Sequence, residues 1–337
     1  VTGGRRALAG AAALAAGFLG PAARSQAADA PLPDLHLVLS WYAKPDFGGY
    51  YAAEELGFWK ALGLRVTILP GGPNAQVEKR VLTEPFTVGT ASADQVIMDV
   101  AHGLPLVAIN TFLQRDGQII LLHDESPVHR MEDLQGRSLF ATTGSNFLSY
   151  IVWKYHLDRL QVQPHPGSVA AFLTNPEAMS HAVLQNEPVY AEQAGVKVRW
   201  LSLRDAGFDS FQVIVATHEL VDRHPEVLRR FSLGAYLGWA AFLRDPEPVF
   251  ARIVKDNPDI NVPGMRQAFA NIKQYHLIEG SGPPHEGLGA VSPERWAALR
   301  DDLQACGLLT DPVTLADAYT DQFTPDKVGY PPRPAPH

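Results

Sequence analysis

The sequence predicts an α/β protein of two lobes with a helical C-terminal region. Three observations carry this reading. Short apolar strands alternate with segments of helical spacing, and the alternation runs through two successive sets. A chain of 337 residues, 46% hydrophobic and 19% charged, also has the material for two cores.

In chain order, residues 35–41 read as an apolar strand, 48–56 have helical spacing that stops at Gly57, and 64–69 are β-rich before the turn Pro70-Gly71-Gly72-Pro73. That is a βαβ unit, and it implies a parallel sheet. A strand at 86–88, a helix at 93–101 and strands at 106–110 and 119–123 complete a first lobe. A second set begins at Met131-Glu132-Asp133-Leu134-Gln135-Gly136-Arg137. It continues with a strand at 138–141, the turn Thr142-Thr143-Gly144-Ser145, a helix at 147–155, another near 169–173, and strands at 181–184 and 198–203. After a further strand at 211–217 the chain turns helical from Pro225, with Leu228, Phe231, Leu233, Tyr236, Leu237 and Phe242 offering apolar faces. The assignment is therefore a first lobe of 35–120 and 208–325 with the C-terminal helices, a second lobe of 121–207, and a structureless Pro-rich tail at 326–337. Hinges are expected near 116–122 and 202–212.

Residues 1–27 read as a cleaved signal peptide: Arg5 and Arg6 precede an apolar run from 7 to 19, and Ser25-Gln26-Ala27 supplies small residues for cleavage. The paired arginines suggest the twin-arginine route, with the general secretory route open. Thirteen residues rich in Ala and Gly are too few for the roughly 20 that span a bilayer, so no stable membrane insertion is expected. Without the three arginines of this segment, 25 basic residues face 36 acidic ones, a net charge of −11. Such a surface has no electrostatic reason to hold nucleic acid. Cys306 is the single cysteine, which excludes an intramolecular disulfide and a multi-cysteine metal site.

In open α/β sheets ligands sit beyond the carboxyl ends of the strands, so the loops after each strand are searched first. After the first strand come Trp41, Tyr42, Asp46 and Phe47, flat apolar faces with one acidic edge. Trp41 and Phe47 could equally plug the core end of the strand, and Asp46 could be a turn former after Pro45. Two stretches, Gly89-Thr90-Ala91-Ser92-Ala93-Asp94 and Thr142-Thr143-Gly144-Ser145-Asn146, read as strand-to-helix loops, one in each lobe. Ser92, Thr143, Ser145 and Asn146 there offer side-chain groups beside free N–H groups, for a ligand or simply for helix capping. Asn186-Glu187-Pro188 is the sharpest polar candidate, because Glu187 can accept two N–H bonds from an amino-heterocycle and Asn186 both donates and accepts. The same tripeptide could be only a turn into the next helix. Phe208 and Phe211 could complete an aromatic cage. The twelve histidines show no metal-binding helical spacing, and Gly-x-Ser-x-Gly, Walker and Rossmann motifs are absent, so no metal, cofactor or catalytic residue is assigned.

Several stretches in order resemble the periplasmic substrate-binding proteins of ABC importers, in particular the thiamine-pyrimidine-precursor binders (hydroxymethylpyrimidine and formylaminopyrimidine), with sulfonate, nitrate and riboflavin binders as relatives. These are Leu39-Ser40-Trp41, Gly49-Tyr50-Tyr51-Ala52-Ala53-Glu54-Glu55-Leu56-Gly57-Phe58-Trp59, Gly63-Leu64, Pro70-Gly71-Gly72, His102-Gly103-Leu104-Pro105, Asp133-Leu134-Gln135-Gly136, Asn186-Glu187-Pro188 and His224-Pro225-Glu226. The resemblance implies a type II Venus-flytrap fold, a monomer that closes on a small molecule, and an ABC permease with its ATPase as partners. It also places the loop after the first strand in the cleft and a glutamate of the Asn-Glu-Pro motif on the pyrimidine. The chain departs from the usual Gly-x-x-Asp at Thr83-Glu84-Pro85-Phe86 and Asn175-Pro176-Glu177-Ala178. A eukaryotic and fungal branch is an enzyme that makes the pyrimidine from its own histidine and pyridoxal phosphate, and it carries a Cys-rich motif. Here Phe47 stands near the expected histidine and no Cys cluster exists, so a binding protein for a flat heterocycle is expected, with an aromatic acid, sulfonate or flavin as alternative ligands. A pyrimidine-synthase-like enzyme is the alternative of another class.

Overall fold

The computed structural model describes residues 34–281 and 286–331; the expected leader at 1–27 lies outside the described residues. The first lobe is built from β1 (Asp34–Val38), a 3-10 turn at Pro45–Phe47, α1 (Gly48–Glu55), α2 (Phe58–Ala61), β2 (Arg65–Leu69), α3 (Val77–Thr83), β3 (Thr87–Ser92), α4 (Ala93–Ala101) and β4 (Leu106–Leu113). The chain then crosses to β5 (Gln118–His123), a 3-10 turn at Met131–Leu134, β6 (Ser138–Ala141), α5 (Asn146–Tyr155), β7 (Gln161–Pro164), α6 (Ala170–Thr174), β8 (Met179–Val183), α7 (Glu187–Gln193) and β9 (Val198–Ser202). It returns as β10 (Gln212–Thr217) and ends in α8 (His218–Arg223), α9 (Pro225–Arg244), α10 (Glu247–Asp256), α11 (Val262–Gln274), α12 (Pro293–Ala305) and α13 (Leu315–Ala318).

The two sheets share one topology. Their strand orders are β2-β1-β3-β10-β4 and β7-β6-β8-β5-β9. In each, three parallel strands come first, and the strand that has just crossed from the other lobe is inserted antiparallel before the last. β10 enters the first sheet and β5 the second, so each lobe is closed by a strand delivered from its neighbour. This is the expected two-lobed α/β architecture.

Several sequence expectations move. The strand at 119–123 was expected to complete the first lobe at residue 120; instead β5 pairs along its length with β8 and β9 in the second sheet. The crossing falls at 114–117, where Asp116 accepts the Gln118 N–H at 3.1 Å and Gly117 takes φ +72, a conformation open to glycine. β3 extends through Ser92, so Gly89 to Ser92 is strand and not loop. Phe86, in one of the stretches that depart from Gly-x-x-Asp, adopts φ +50 in the left-handed region. The helices after β10 do not belong to the first lobe alone: α11 packs on α7 and α12 on both α4 and α5. Residues 326–331, expected at the start of a structureless tail, form turns against the first lobe, where Val328 joins the core and the Tyr330 ring lies 5.9 Å from Tyr236; residues 332–337 lie outside the described residues.

One core cluster fills the first lobe between its sheet, α1 and α9, around Tyr50, Phe112, Phe231, Trp239 and Phe242. Helix α9 starts on Pro225, whose missing N–H is no loss at a helix start, and its apolar stripe faces inward. A second cluster is shared by both lobes, joining Val38 and Val96 to Leu139, Phe147, Phe211 and Trp296. The third lies under the far face of the second sheet, with Ile119, Leu121 and Phe172.

Candidate ligand cleft

The carboxyl ends of β1 and β3 in one lobe and of β6 and β8 in the other lead into loops that meet between the lobes. After β1, the Ser40 N–H donates to Thr90 Oγ1 at 2.7 Å, and the Thr90 hydroxyl donates in turn to Ser40 Oγ at 3.0 Å. The following 3-10 turn buries Asp46 to 4% exposure. Its Oδ2 takes the Lys44 ammonium at 2.8 Å and the Asn186 Nδ2–H, from the opposite lobe, at 3.0 Å. Asn186 is itself 2% exposed, and Asp46 Oδ1 and Asn186 Oδ1 are both buried without a partner. Next along, Glu187 Oε2 accepts the Val183 N–H at 2.8 Å. One turn later burial, then the Glu187 and Asp46 carboxylates, push the Tyr190 hydroxyl up from its ordinary pKa.

A second polar group bridges the lobes at the start of α4. Asp94, 7% exposed, accepts Asn146 Nδ2–H from the opposite lobe at 2.7 Å and the hydroxyl of Ser210 from the return crossover. Near it, burial raises Asp116 to about 7; the Gln118 N–H groups oppose this, and the Asp94 and Asp209 carboxylates reinforce it. Gln118 Oε1 accepts from His181 Nε2 at 3.1 Å, and the His181 ring stacks on Phe147 with centroids 4.4 Å apart. Burial lowers His181 to about 3, so the ring is neutral and Nε2–H is the donor.

The sequence-predicted residues divide into four groups. Asp46 and Asn186 meet across the lobes, as do Asn146 and Asp94, while Glu187 flanks the first pair. Trp41 is half-buried with its ring edge-on to Tyr42 at 5.6 Å, and Tyr42 is 45% exposed with its ring against Gly72 in the turn after β2. Phe47 and Phe208 are corrections: Phe47 packs on Phe112 inside the first core and Phe208 on Tyr150 inside the shared one, because burial among apolar side chains outweighs their position after a strand. Phe211 is likewise buried, edge-on to Trp296. Ser92 and Ser145 stand at the starts of α4 and α5 but cap neither with their side chains; Ser145 donates to Thr142 O at 2.8 Å, and Thr143 points to solvent. Sequence reasoning passed over Asp94, Asp116, Gln118, His181, Tyr190 and Ser210. The Asp-Gly pair at 116–117 was a readable turn signal; the others are joined only by long-range contacts.

Residues 44–248 match the NMT1/THI5-like family. The chain belongs to the NMT1/THI5-like family. Among relatives, a riboflavin-binding protein, RibY, from Chloroflexus aurantiacus is 25% identical over 323 residues, spanning 90% of this chain and 91% of that one. A putative thiamine biosynthesis protein from Haemophilus influenzae is 25% identical over 105 residues, 31% of this chain and 33% of that one. Among solved structures, the periplasmic aliphatic sulphonate binding protein SsuA of Escherichia coli superposes with a TM-score of 0.63 at 17% identity, covering 83% of this chain and 87% of that one. The desulfurization enzyme DSZB gives 0.60 at 13% identity over 88% and 99% of the two chains. At such identities the structural matches establish the periplasmic-binding-protein fold, which binding proteins and an enzyme share.

Behind the cleft of this NMT1/THI5-like protein, a knot of charges gathers both crossovers. Arg295, at the start of α12, donates to Gln114 Oε1 at 2.8 Å and Gln114 O at 2.7 Å, and lies 3.4 Å from Asp209. Its guanidinium sits 4.5 Å over the Phe211 ring. Arg204 pairs with Asp209 at 3.2 Å and with Glu286 at 3.0 Å, and Arg115 reaches Glu286 at 3.5 Å. Burial pushes Glu286 up, yet the Ser281 N–H together with Arg204 and Arg295 holds it down at about 2.

Proposed function

We propose that this chain is an exported periplasmic solute-binding protein, not an enzyme. It takes a small, flat, N–H-bearing heterocycle, a thiamine pyrimidine precursor, and delivers it to an ABC permease and its ATPase. The observation that carries the ligand class is the sign of the cleft. Asp46, Asp94 and Glu187 stand around it, the charges acting on Tyr190 are carboxylates, and the nearby cation Lys44 is already paired to Asp46. A sulfonate or aromatic acid would meet repulsion there, whereas a neutral or cationic ring with N–H donors meets acceptors. Trp41 and Tyr42, on the loop after β1, supply the ring faces.

Family membership and the Haemophilus relative support the pyrimidine direction. The Chloroflexus relative, aligned over nearly its full length, favours riboflavin as a second reading, since a flavin is also a flat ring system with an N–H donor. No helix among the described residues is long and apolar enough to cross a membrane. Export rests on the leader-like residues 1–27.

Calorimetry on Glu187→Gln tests the reading. Glutamine keeps an acceptor for the Val183 N–H, so the loop survives while the charge is lost. Affinity for 4-amino-5-hydroxymethyl-2-methylpyrimidine should fall about tenfold, or 1.4 kcal/mol, and that for an alkanesulfonate should stay level or rise. Tighter wild-type binding of the sulfonate than of any heterocycle would overturn the proposal. Steady conversion of the pyrimidine by the wild-type protein would instead make it an enzyme.

A further inference from the structure

We propose that the second lobe carries a ligand site of its own, outside the cleft, which takes a small zwitterion with an apolar side chain: an α-amino acid in its chemistry. The inference uses none of the cleft residues and is independent of the heterocycle reading.

A cavity of about 320 Å³ opens on the second sheet, within the range of about 300–1,000 Å³ that small-molecule sites occupy. Alternation along β6 sends Ser138 and Phe140 to one face, beside Gln163 of β7, the register partner of Phe140. The turn before β8 supplies the other side with Asn175 and Glu177. Arg137 and this turn stand at the amino ends of β6 and β8, whereas the carboxyl ends of the same strands lead to the cleft. The cavity therefore begins at the end of the sheet away from the cleft. Its Glu177 wall, Asn175-Pro176-Glu177-Ala178, is also one of the two stretches in which the chain departs from Gly-x-x-Asp.

Two opposite charges line this cavity without meeting. Arg137 Nε donates to Asp133 O at 3.0 Å, which anchors the side chain, and its two terminal nitrogens have no partner among the described residues. The Glu177 N–H donates to Asn175 Oδ1 at 3.1 Å and the Ala178 N–H to Asn175 O at 2.9 Å. These bonds fix the turn, while the Glu177 carboxylate has no partner among the described residues. A lone anion would meet repulsion from Glu177, and a lone cation from Arg137. A zwitterion satisfies both: its carboxylate takes two N–H bonds from the guanidinium, and its ammonium donates to Glu177. The Phe140 ring, half-buried against the third core cluster, gives the ligand side chain an apolar surface.

Calorimetry with L-phenylalanine tests the site, with 3-phenylpropionate and phenethylamine as analogues that lack the ammonium and the carboxylate in turn. Wild-type protein should bind L-phenylalanine saturably with a dissociation constant below about 1 mM, and each analogue at least tenfold more weakly. Arg137→Gln should weaken L-phenylalanine tenfold or more and bring it level with phenethylamine. Glu177→Gln should weaken it similarly and bring it level with 3-phenylpropionate. Melting curves identify a variant that fails to fold; Glu177→Gln, on an exposed turn held by backbone N–H groups, then carries the test alone. Absence of wild-type binding up to about 10 mM overturns the site, as does equal binding of the three compounds. Affinity for L-phenylalanine that is unchanged in a folded variant overturns it too, and would move the amino acid to another part of the molecule.

Discussion

A carboxyl group sheltered from water beside other carboxylates resists ionisation, and Asp116, held at about 7, carries that cost into the folded state. Its groups in contact are the Gln118 N–H and Nε2–H, with Asp94 and Asp209 as the nearby charges. In the unfolded chain the same side chain ionises near 3.9. Between these values the folded state binds more protons than the unfolded one, so Asp116 costs nothing at pH 3, costs progressively more as pH rises, and reaches its full penalty above pH 7. Asp116→Asn should therefore gain stability over wild type from about pH 4 to pH 7, with the difference level beyond, read as denaturation midpoints across a pH series. A difference that does not vary with pH would show that Asp116 is solvated. None of this was legible in the sequence. Asp46, Asn146, Asn186 and Glu187 could be placed because they follow strands; Asp94 needed Asn146, 52 positions away, and Ser210, 116 positions away, to become visible.

The packing of α1 on α9 depends on glycines. A methyl group at Gly48 would collide with the Phe242 ring, one at Gly49 with the Trp239 indole, and one at Gly238 with Gly49 O, so the helices approach along a seam without Cβ atoms. Trp59 adds a bond from Nε1 to Phe231 O at 2.9 Å and a stacked ring at 5.6 Å. Gly49→Ala should then destabilise the protein by about 1–3 kcal/mol through overpacking, read from urea midpoints at unchanged slope. A change under about 0.5 kcal/mol would mean that the seam can open without strain. Sequence periodicity served these elements well: residues 138–141 were read as the strand that β6 forms, and 48–56 overlies α1 to within a residue. It failed for β5, because a short apolar strand carries no mark of the sheet it will join. It also passed over β7, a polar edge strand ending in Pro164, and α3, which buries only Val77 and Val81.

At the scale of the whole molecule, two asparagine-to-aspartate bonds tie the lobes at the cleft, while Arg295 ties their crossovers behind it. The cleft bonds must break when the lobes part, whereas the Arg295 knot joins Gln114 and Asp209, the two places where the chain changes lobe, and can stay intact as a pivot. Arg295→Met tests this division. The methionine fills the space beside Phe211, and Glu286 keeps Arg204 and Arg115 while Asp209 keeps Arg204, so no acid is stranded. What is lost is the pair of donors to Gln114 O and Oε1, a cost of about 1–3 kcal/mol in stability. The larger effect should be on closure. With the crossovers untied, fewer molecules hold the binding-competent arrangement, and apparent affinity falls by that fraction. A drop of the competent population to a tenth would weaken every ligand tenfold, about 1.4 kcal/mol. Because the cleft contacts are unchanged, the preference for an amino-heterocycle over a sulfonate should persist, and the ligand-free radius from scattering should widen. Altered selectivity at an unchanged radius would instead assign Arg295 to the ligand, and the pivot would have to lie elsewhere.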